Sequence, residues 1–171
     1  MRVAWMLLAL LALPSAAEND RASVESVKAG FIYNFAKLAV WPPTEGPAGP
    51  LRLCTLGRGA LGGQLDRLQG RSVGEREIQI LERPGAEDWP KCHVIFVSGE
   101  DGERVGAMLR QTAGMPVLTI GDIPDFAQRG GVIELLESDS RVRFNISLVA
   151  AQRSRLRLSS QLLKLAGKVW Q

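Results

Sequence analysis

The sequence has little histidine and cysteine: one histidine, His93, and two cysteines, Cys54 and Cys92. A nucleophilic serine or cysteine needs a base beside it, and a structural zinc site usually needs four histidine or cysteine ligands. His93 follows Cys92 directly, and consecutive side chains on a strand face opposite ways, so the two do not form a catalytic pair. No two carboxylates are spaced as an acid and base pair either. The sequence therefore indicates a protein that is not an enzyme and that uses no metal and no cofactor.

Acidic side chains are absent from the end of the chain. Residues 141–171 contain seven Lys or Arg and no Asp or Glu, whereas residues 18–140 contain thirteen basic and eighteen acidic side chains. Such a gradient indicates either a face that binds a partner or a basic strand and helix that the acidic remainder neutralises. Few aromatic residues accompany the basic ones, so we do not expect nucleic acid as a partner.

Long apolar runs are also lacking, apart from one at the start of the chain. The run Val3–Leu13 is too short to anchor a protein across a bilayer. Arg2 precedes it, and Ser15 and Ala17 place small residues where a signal peptidase cleaves. The pattern predicts a cleaved signal peptide over residues 1–17 and a location in the periplasm. An uncleaved N-terminal anchor is the alternative.

The two cysteines lie in the exported part of the chain. An even number of cysteines in an oxidising compartment favours one disulfide, here between Cys54 and Cys92. Each lies at an apolar run that predicts a strand, and neighbouring strands of a parallel sheet would bring the two together. Two buried free thiols are the alternative.

The stretch LRLCTLGRGALGGQL, residues 51–65, has the spacing of a dinucleotide-binding fingerprint. A predicted strand leads through Gly57-x-Gly59-x-x-Gly62 into a predicted helix, and Glu82 follows at the end of the next strand. However, an exported protein rarely meets NAD, and Gly63 weakens the first turn of the helix. We interpret the stretch as a glycine-rich turn between a strand and a helix, with an NAD-linked enzyme as the alternative.

Hydrophobic periodicity predicts one domain over residues 18–171. The predicted elements are a helix over 23–41, a strand over 51–56, a helix over 60–68, strands over 76–82 and 93–97, a helix over 101–112, a strand over 116–120, a short helix over 124–128, a hairpin of 132–138 and 141–147, a short helix after 147, an extended stretch over 156–159 and a helix from 160 that packs Leu162, Leu163, Leu165 and Val169. Strands that alternate with helices and then form a hairpin predict an α/β fold, a three-layer sandwich with a mixed, mainly parallel sheet and a C-terminal β-hairpin.

Two helix caps and one connection belong to this prediction. Ser23 is expected to cap the first helix and Asp122 the short helix that follows it at 124–128. Residues 42–50, PPTEGPAGP, are expected to form an exposed connection.

Several stretches then occur together in one order: VKAGFIYNFAKLAVWP, CHVIFV, PVLTIGD and GGVIELLESDSRVRFNISLVAAQRSRLRLSSQLLKLA. The whole resembles the YfiR family of bacterial exported proteins over residues 23–168. The resemblance implies a periplasmic repressor that binds the periplasmic sensor domain of a membrane diguanylate cyclase and keeps the cyclase inactive. It also implies an outer-membrane, peptidoglycan-binding lipoprotein as a second partner, and a homodimer is a further expectation. A histidine kinase is the alternative partner, because similar domains accompany such kinases.

One departure from the family concerns redox chemistry. The family's well-known repressor has a second cysteine pair near the glycine-rich turn before the hairpin, where this sequence has residues such as Gln128 and Glu134. We therefore expect one structural disulfide rather than a switch made of two.

A repressor of this kind needs a binding surface rather than a catalytic site. We predict that surface on the C-terminal third, with Ile133 and Asn145 on the hairpin strands and Ala151 and Arg153 on the following helix converging on one face. A solvated basic face is the alternative. A second class of function is a periplasmic small-ligand sensor or solute-binding domain that uses the turn over 57–62 to bind an anion or a nucleotide.

Overall fold

The computed structural model describes residues 16–43, 49–57, 61–99 and 102–171 of the chain. Its helices are α1 (Ala16–Leu38), α2 (Gly62–Asp66), α3 (Gly102–Gln111), α4 (Leu148–Arg153) and α5 (Ser160–Leu165), with a 3-10 helix at Ala86–Lys91. Its strands are β1 (Ala39–Val40), β2 (Leu51–Leu56), β3 (Ser72–Val73), β4 (Arg76–Glu82), β5 (Val94–Val97), β6 (Leu118–Gly121), β7 (Ile133–Ser138), β8 (Arg141–Ser147), β9 (Arg157–Leu158) and β10 (Val169–Trp170).

Eight of the described strands form one sheet in the order β10-β8-β7-β6-β5-β2-β4-β3. Strands β4, β2, β5, β6 and β7 are parallel neighbours, β10 is parallel to β8, and β7–β8 is an antiparallel hairpin. From β2 the chain moves outward to β4 and then returns to the other side of β2 as β5. The direction of winding therefore reverses between β2 and β5. The predicted mixed, mainly parallel sheet with a C-terminal hairpin is confirmed.

Both faces of the sheet are covered by helices. On β5, Val94 and Phe96 belong to one buried cluster and Ile95 and Val97 to the other, as the two-residue period of a strand requires. We call the first side the α1 face, because α1, α2 and α5 contribute to it. The second side is the α3 face, which α3 and the 3-10 helix cover. The predicted three-layer sandwich is confirmed.

An aromatic cluster fixes α1 on the sheet. The ring of Phe35 lies 4.8 Å from that of Phe144 on β8 and 5.7 Å from that of Phe31. The helix begins at Ala16, so Ser23 lies inside it and the prediction of Ser23 as the N-cap is wrong. The sequence from Ala16 to Ser23 contains no glycine or proline, so nothing in it ends the helix there.

The segment before the hairpin differs from its prediction. Residues 122–130 form turns rather than a helix over 124–128, and Asp125 has a left-handed φ of 58°. The fully buried ring of Phe126 packs where a β-carbon on Gly121 or Gly131 would lie. Gly130 has a φ of 103°, which glycine adopts without strain. Close packing on two glycines therefore replaces the predicted helix and its cap.

The C-terminal helix is shorter than predicted. It ends at Leu165, which is 65% exposed rather than packed. After it, the N–H of Gly167 donates to the carbonyl oxygen of Phe144 at 2.8 Å, and Val169 continues as part of β10 beside β8. The helix ends because the backbone after it forms hydrogen bonds with the edge of β8.

The other predicted segments agree with the structure, agree with it in part, or lie outside the described residues. The predicted strands 51–56 and 76–82 are confirmed, whereas α2 covers only 62–66 of the predicted 60–68. Residues 1–15, which hold most of the predicted signal peptide, and residues 44–48 of the predicted connection lie outside the described residues. Within the described ranges, no helix has both the length and the apolar character that a membrane span needs.

Candidate functional site

The two cysteines form a disulfide in the α3 face. Cys54 on β2 and Cys92, two residues before β5, are bonded with their Cα atoms 6.0 Å apart. Strands β2 and β5 are parallel neighbours, as the sequence predicted for the strands of these two cysteines. Both side chains are buried, at 0% and 4% exposure, so the bond lies within the core rather than at the surface. The predicted pairing is confirmed.

His93 lies beside the disulfide and faces hydrogen-bond donors on both sides. Its Nδ1 lies 3.0 Å from the backbone nitrogen of Arg52, and its Nε2 lies 2.7 Å from a guanidinium nitrogen of Arg76. A neutral imidazole has one accepting nitrogen and can accept a hydrogen bond from one of these donors, whereas a protonated ring would accept from neither. Burial and the charges of Arg76 and Arg52 lower the pKa of His93 to about 4. The ring is therefore neutral at neutral pH, and a pKa of about 4 makes it too weakly basic to act as an efficient general base there.

The four residues predicted to bind a partner do not form one exposed surface. The side chain of Ile133 is fully buried and that of Ala151 is 1% exposed, so neither can contact a partner. Ile133 is buried because β7 lies between β6 and β8 and faces the helices on the α1 face. Asn145 is half-buried on the opposite side of β8, close to Gly167. Only Arg153 is well exposed, and the predicted patch is wrong as a continuous surface.

An exposed apolar groove lies instead between α1, β8 and α5. It consists of two adjoining depressions of about 310 and 450 Å³ that share Phe31, Phe144 and Leu165. The apolar side chains that line this α1–α5 groove are Phe31, Phe35, Leu38, Val142, Phe144, Leu162 and Leu165. Sequence analysis missed the groove because it treated Leu165 as a core residue. The early end of α5 is what leaves that side chain at the surface.

The rim of the α1–α5 groove is cationic. Lys37 lines one depression and Arg143 the other, and no Asp or Glu of the described part of the chain lines either. The groove thus combines an apolar floor with a basic edge, which is the composition of a reversible protein interface.

The carboxyl ends of the parallel strands carry unpartnered polar groups. Thr55 on β2, Ser98 after β5 and Asp122 after β6 each have a buried side-chain oxygen with no hydrogen-bond partner among the described residues. The two-residue period of each strand directs all three toward the α1 face. Ligands of open α/β sheets bind at this end, where the winding direction reverses. The end of the sheet is therefore the candidate location for a small ligand.

A lysine neutralises the acidic part of this region. Lys28 of α1 places its Nζ 3.5 Å from Asp122 Oδ2 and 3.0 Å from Glu137 Oε2. Burial raises the pKa of Asp122, and the charge of Lys28 opposes that increase. The contact ties α1 to the ends of two strands.

The glycine fingerprint is only partly described. Gly57 has a φ of 74°, residues 58–60 lie outside the described residues, and α2 is five residues long. A helix this short carries little of the dipole that holds a pyrophosphate in dinucleotide-binding folds. The NAD-linked enzyme stays the alternative that the sequence raised.

Comparison with known families matches residues 25–167 to the model of the YfiR/HmsC-like family. The chain belongs to the YfiR/HmsC-like family. No curated protein sequence matches this YfiR/HmsC-like chain.

Comparison with solved structures gives one likeness in fold. A conserved domain protein of Vibrio cholerae O1 biovar El Tor strain N16961 has a TM-score of 0.52 at 11% identity, over 85% of this YfiR/HmsC-like chain and 60% of that chain. The ABC domain in complex with L-Trp from Streptococcus pneumoniae has a TM-score of 0.48 at 9% identity, over 69% and 54% of the two chains. The present chain thus spans well under two thirds of either structure. At such identities the first likeness shows the fold alone, and the second carries no argument.

Proposed function

We propose that the protein is a periplasmic repressor that binds the periplasmic domain of an inner-membrane diguanylate cyclase and lowers cyclic di-GMP synthesis. The observation that carries the proposal is the family match over residues 25–167. A protein that binds only the inactive conformation of a receptor stabilises that conformation by its difference in binding free energy. Such a repressor needs a surface, and a catalytic site is not required.

The α1–α5 groove is the surface that we assign to the cyclase. Leu165 is 65% exposed beside the aromatic floor that Phe31 and Phe144 provide, so an apolar side chain of the partner would gain buried area on both sides. Lys37 and Arg143 at the rim fit a partner whose apolar knob is surrounded by carboxylates. A few well-packed residues near the centre of an interface usually carry most of its binding free energy.

Replacement of one exposed anchor tests this assignment. Leu165→Asp should weaken binding to the isolated periplasmic domain of the cyclase by about tenfold or more, because it places a charge on the floor of the groove. Val27→Asp is the matched control, since Val27 is 45% exposed on α1 and lines neither depression of the groove. Titration calorimetry measures both variants. Equal affinity of Leu165→Asp and the wild type would exclude the groove.

The repressor activity has a test that does not depend on the groove. Deletion of the gene should raise cyclic di-GMP and strengthen surface attachment, because an inhibitor of the cyclase is lost. Cyclic di-GMP is measured by mass spectrometry in the deletion strain and in the complemented strain. An unchanged concentration while the cyclase is expressed would contradict the repressor assignment.

Export of the protein is part of the proposal. We propose that residues 1–17 are removed and that residues 18–171 form the mature domain in the periplasm, because the early apolar run and the small residues before Glu18 have the pattern of a signal peptide. Intact mass of protein from a periplasmic extract measures the start of the chain. A species that retains residues 1–17 would contradict cleavage.

A small-ligand sensor is the second candidate function. It is favoured by the side-chain oxygens of Thr55, Ser98 and Asp122, which are buried at the carboxyl ends of adjacent strands and have no partner within the described ranges. Buried polar groups without partners are costly unless a ligand or water satisfies them. A thermal-shift screen of small metabolites tests it. A specific molecule that raises the melting temperature, and whose effect Ser98→Ala removes, would support the sensor.

A further inference from the structure

Three arginines from separate parts of the chain line one cleft on the side of α3. Arg110 lies near the end of α3, Arg129 in the turn before the hairpin, and Arg153 at the end of α4. The cleft has a volume of about 270 Å³. A second depression of about 430 Å³ adjoins it and shares Arg129 and Arg153 with it. We call the two depressions together the arginine cleft.

The positive charge of the arginine cleft is not neutralised within the described part of the chain. Among the residues that the structure describes, no Asp or Glu lines either depression. The ion pairs among the described residues involve lysines, and Arg110, Arg129 and Arg153 take part in none of them. Like charges that share a concave surface repel one another, and an anion between them would remove that repulsion.

The floor of the cleft adds a hydroxyl donor and leaves space for a ligand. Thr119 is 3% exposed, and its Oγ1 accepts a hydrogen bond from the N–H of Val132 at 3.0 Å. The hydroxyl proton of Thr119 has no acceptor among the described residues and is therefore available for a ligand oxygen. Gly106, Gly130 and Ala150 also line the cleft, and their small size lets a ligand approach the backbone.

We propose that the arginine cleft binds a small polyanion that carries two or more phosphate or carboxylate groups. A guanidinium group donates two parallel hydrogen bonds to a phosphate or carboxylate, and three of them fit several anionic groups better than one. Neutral ligands would leave the three charges unpaired. The site contains none of the residues of the α1–α5 groove, so it does not depend on the proposed function.

Two defined anions test the proposal on the full mature protein. Inorganic pyrophosphate presents phosphate groups and citrate presents carboxylates, and titration calorimetry at 0.15 M NaCl measures each. At least one should bind at a single site and raise the melting temperature. Binding of only one of them identifies the anionic group that the cleft prefers. Binding of neither would overturn the proposal, even if an acidic peptide bound, because such a result would assign the cleft to a protein partner.

Two variants distinguish binding at a defined site from a general effect of positive charge. Arg129→Gln should weaken binding of the anion by about tenfold or more, since Arg129 contributes to both depressions. Arg157→Gln is the matched control, because Arg157 is exposed on β9, loses the same charge and lies outside the cleft. Thermal unfolding of both variants checks that they fold. Equal loss of affinity in the two variants would overturn the proposal, because binding would then follow net charge alone.

Discussion

The two faces of the sheet are stabilised by different means. On the α1 face a helix of 23 residues packs an aromatic cluster against the hairpin. On the α3 face a helix of ten residues and a 3-10 helix cover a smaller cluster that contains the disulfide. Helices this short bury less apolar surface, and a covalent bond compensates for it. The α1 face therefore depends on side-chain packing, and the α3 face depends in addition on the disulfide.

Removal of the Phe35 ring, at the centre of the aromatic cluster, should have the largest effect on stability. Phe35 is 1% exposed and contacts two other rings, so Phe35→Ala is expected to lower the free energy of unfolding by about 3–5 kcal/mol. Met108→Ala in α3 opens a smaller cavity on the other face and should cost less, about 2 kcal/mol. Urea unfolding measures both. A larger cost for Met108→Ala would reverse the comparison between the faces.

Loss of the disulfide should have the second-largest effect on stability. The bond closes a loop with a sequence separation of 38, and the chain-entropy model assigns such a loop roughly 4 kcal/mol of stabilisation. Reduction, or the double substitution of Cys54 and Cys92 by alanine, should therefore lower the melting temperature by several degrees. Calorimetry of the oxidised and reduced protein measures it. If reduction leaves the melting temperature unchanged, the stability of the α3 face does not depend on the disulfide.

The regular parts of this fold could be predicted from the sequence because local patterns determine them. The strand over 51–56 is a short, mainly apolar run, and the strand over 76–82 alternates isoleucines with polar residues. The hairpin turns at Asp139 and Ser140, which both have left-handed φ angles. The segment over 122–130 could not be predicted, since its conformation depends on Phe126 packing against Gly121 and Gly131 at its two ends, a contact that hydrophobic periodicity does not reveal. The end of α5 likewise depends on the distant edge of β8.

The candidate surfaces were less predictable than the fold. The cysteine pairing followed from number and compartment, but exposure follows from tertiary packing. Ile133 has the same apolar character as Leu165, yet the first is at the centre of the sheet and the second is at the surface. The seven basic residues of 141–171 were visible in the sequence, whereas the convergence of Arg153 with Arg110 and Arg129 needed the fold.

Protonation of His93 should destabilise the protein in acid. Its pKa of about 4 in the folded protein lies below the ordinary value of 6.5, so the neutral ring stabilises the fold above pH 6.5. This contribution is lost as the pH falls from 6.5 toward 4, by at most about 2 kcal/mol, because solvent screening at this partly exposed ring reduces the full value. Denaturant unfolding of the wild type and His93→Gln at pH 7 and pH 4.5 measures the difference. An identical pH dependence of the two proteins would show that the ring does not contribute.

Removal of a helix cap should have the smallest effect on stability, and it can distinguish α5, which lines the α1–α5 groove, from α4, which lines the arginine cleft. The hydroxyl of Ser159 accepts a hydrogen bond from the N–H of Leu162 at 3.1 Å and caps α5, and that of Ser147 accepts one from the N–H of Ala150 at 3.2 Å and caps α4. Alanine at either position should lower the free energy of unfolding by about 1 kcal/mol, because one helix N–H loses its acceptor.

The two variants should nevertheless differ in binding. Ser159→Ala loosens the helix that presents Leu165 and should weaken cyclase binding but not anion binding. Ser147→Ala loosens the helix that carries Arg153 and should do the reverse. Calorimetric titration of each variant with both ligands measures this, and equal losses in both assays would mean that the groove and the cleft are not independent.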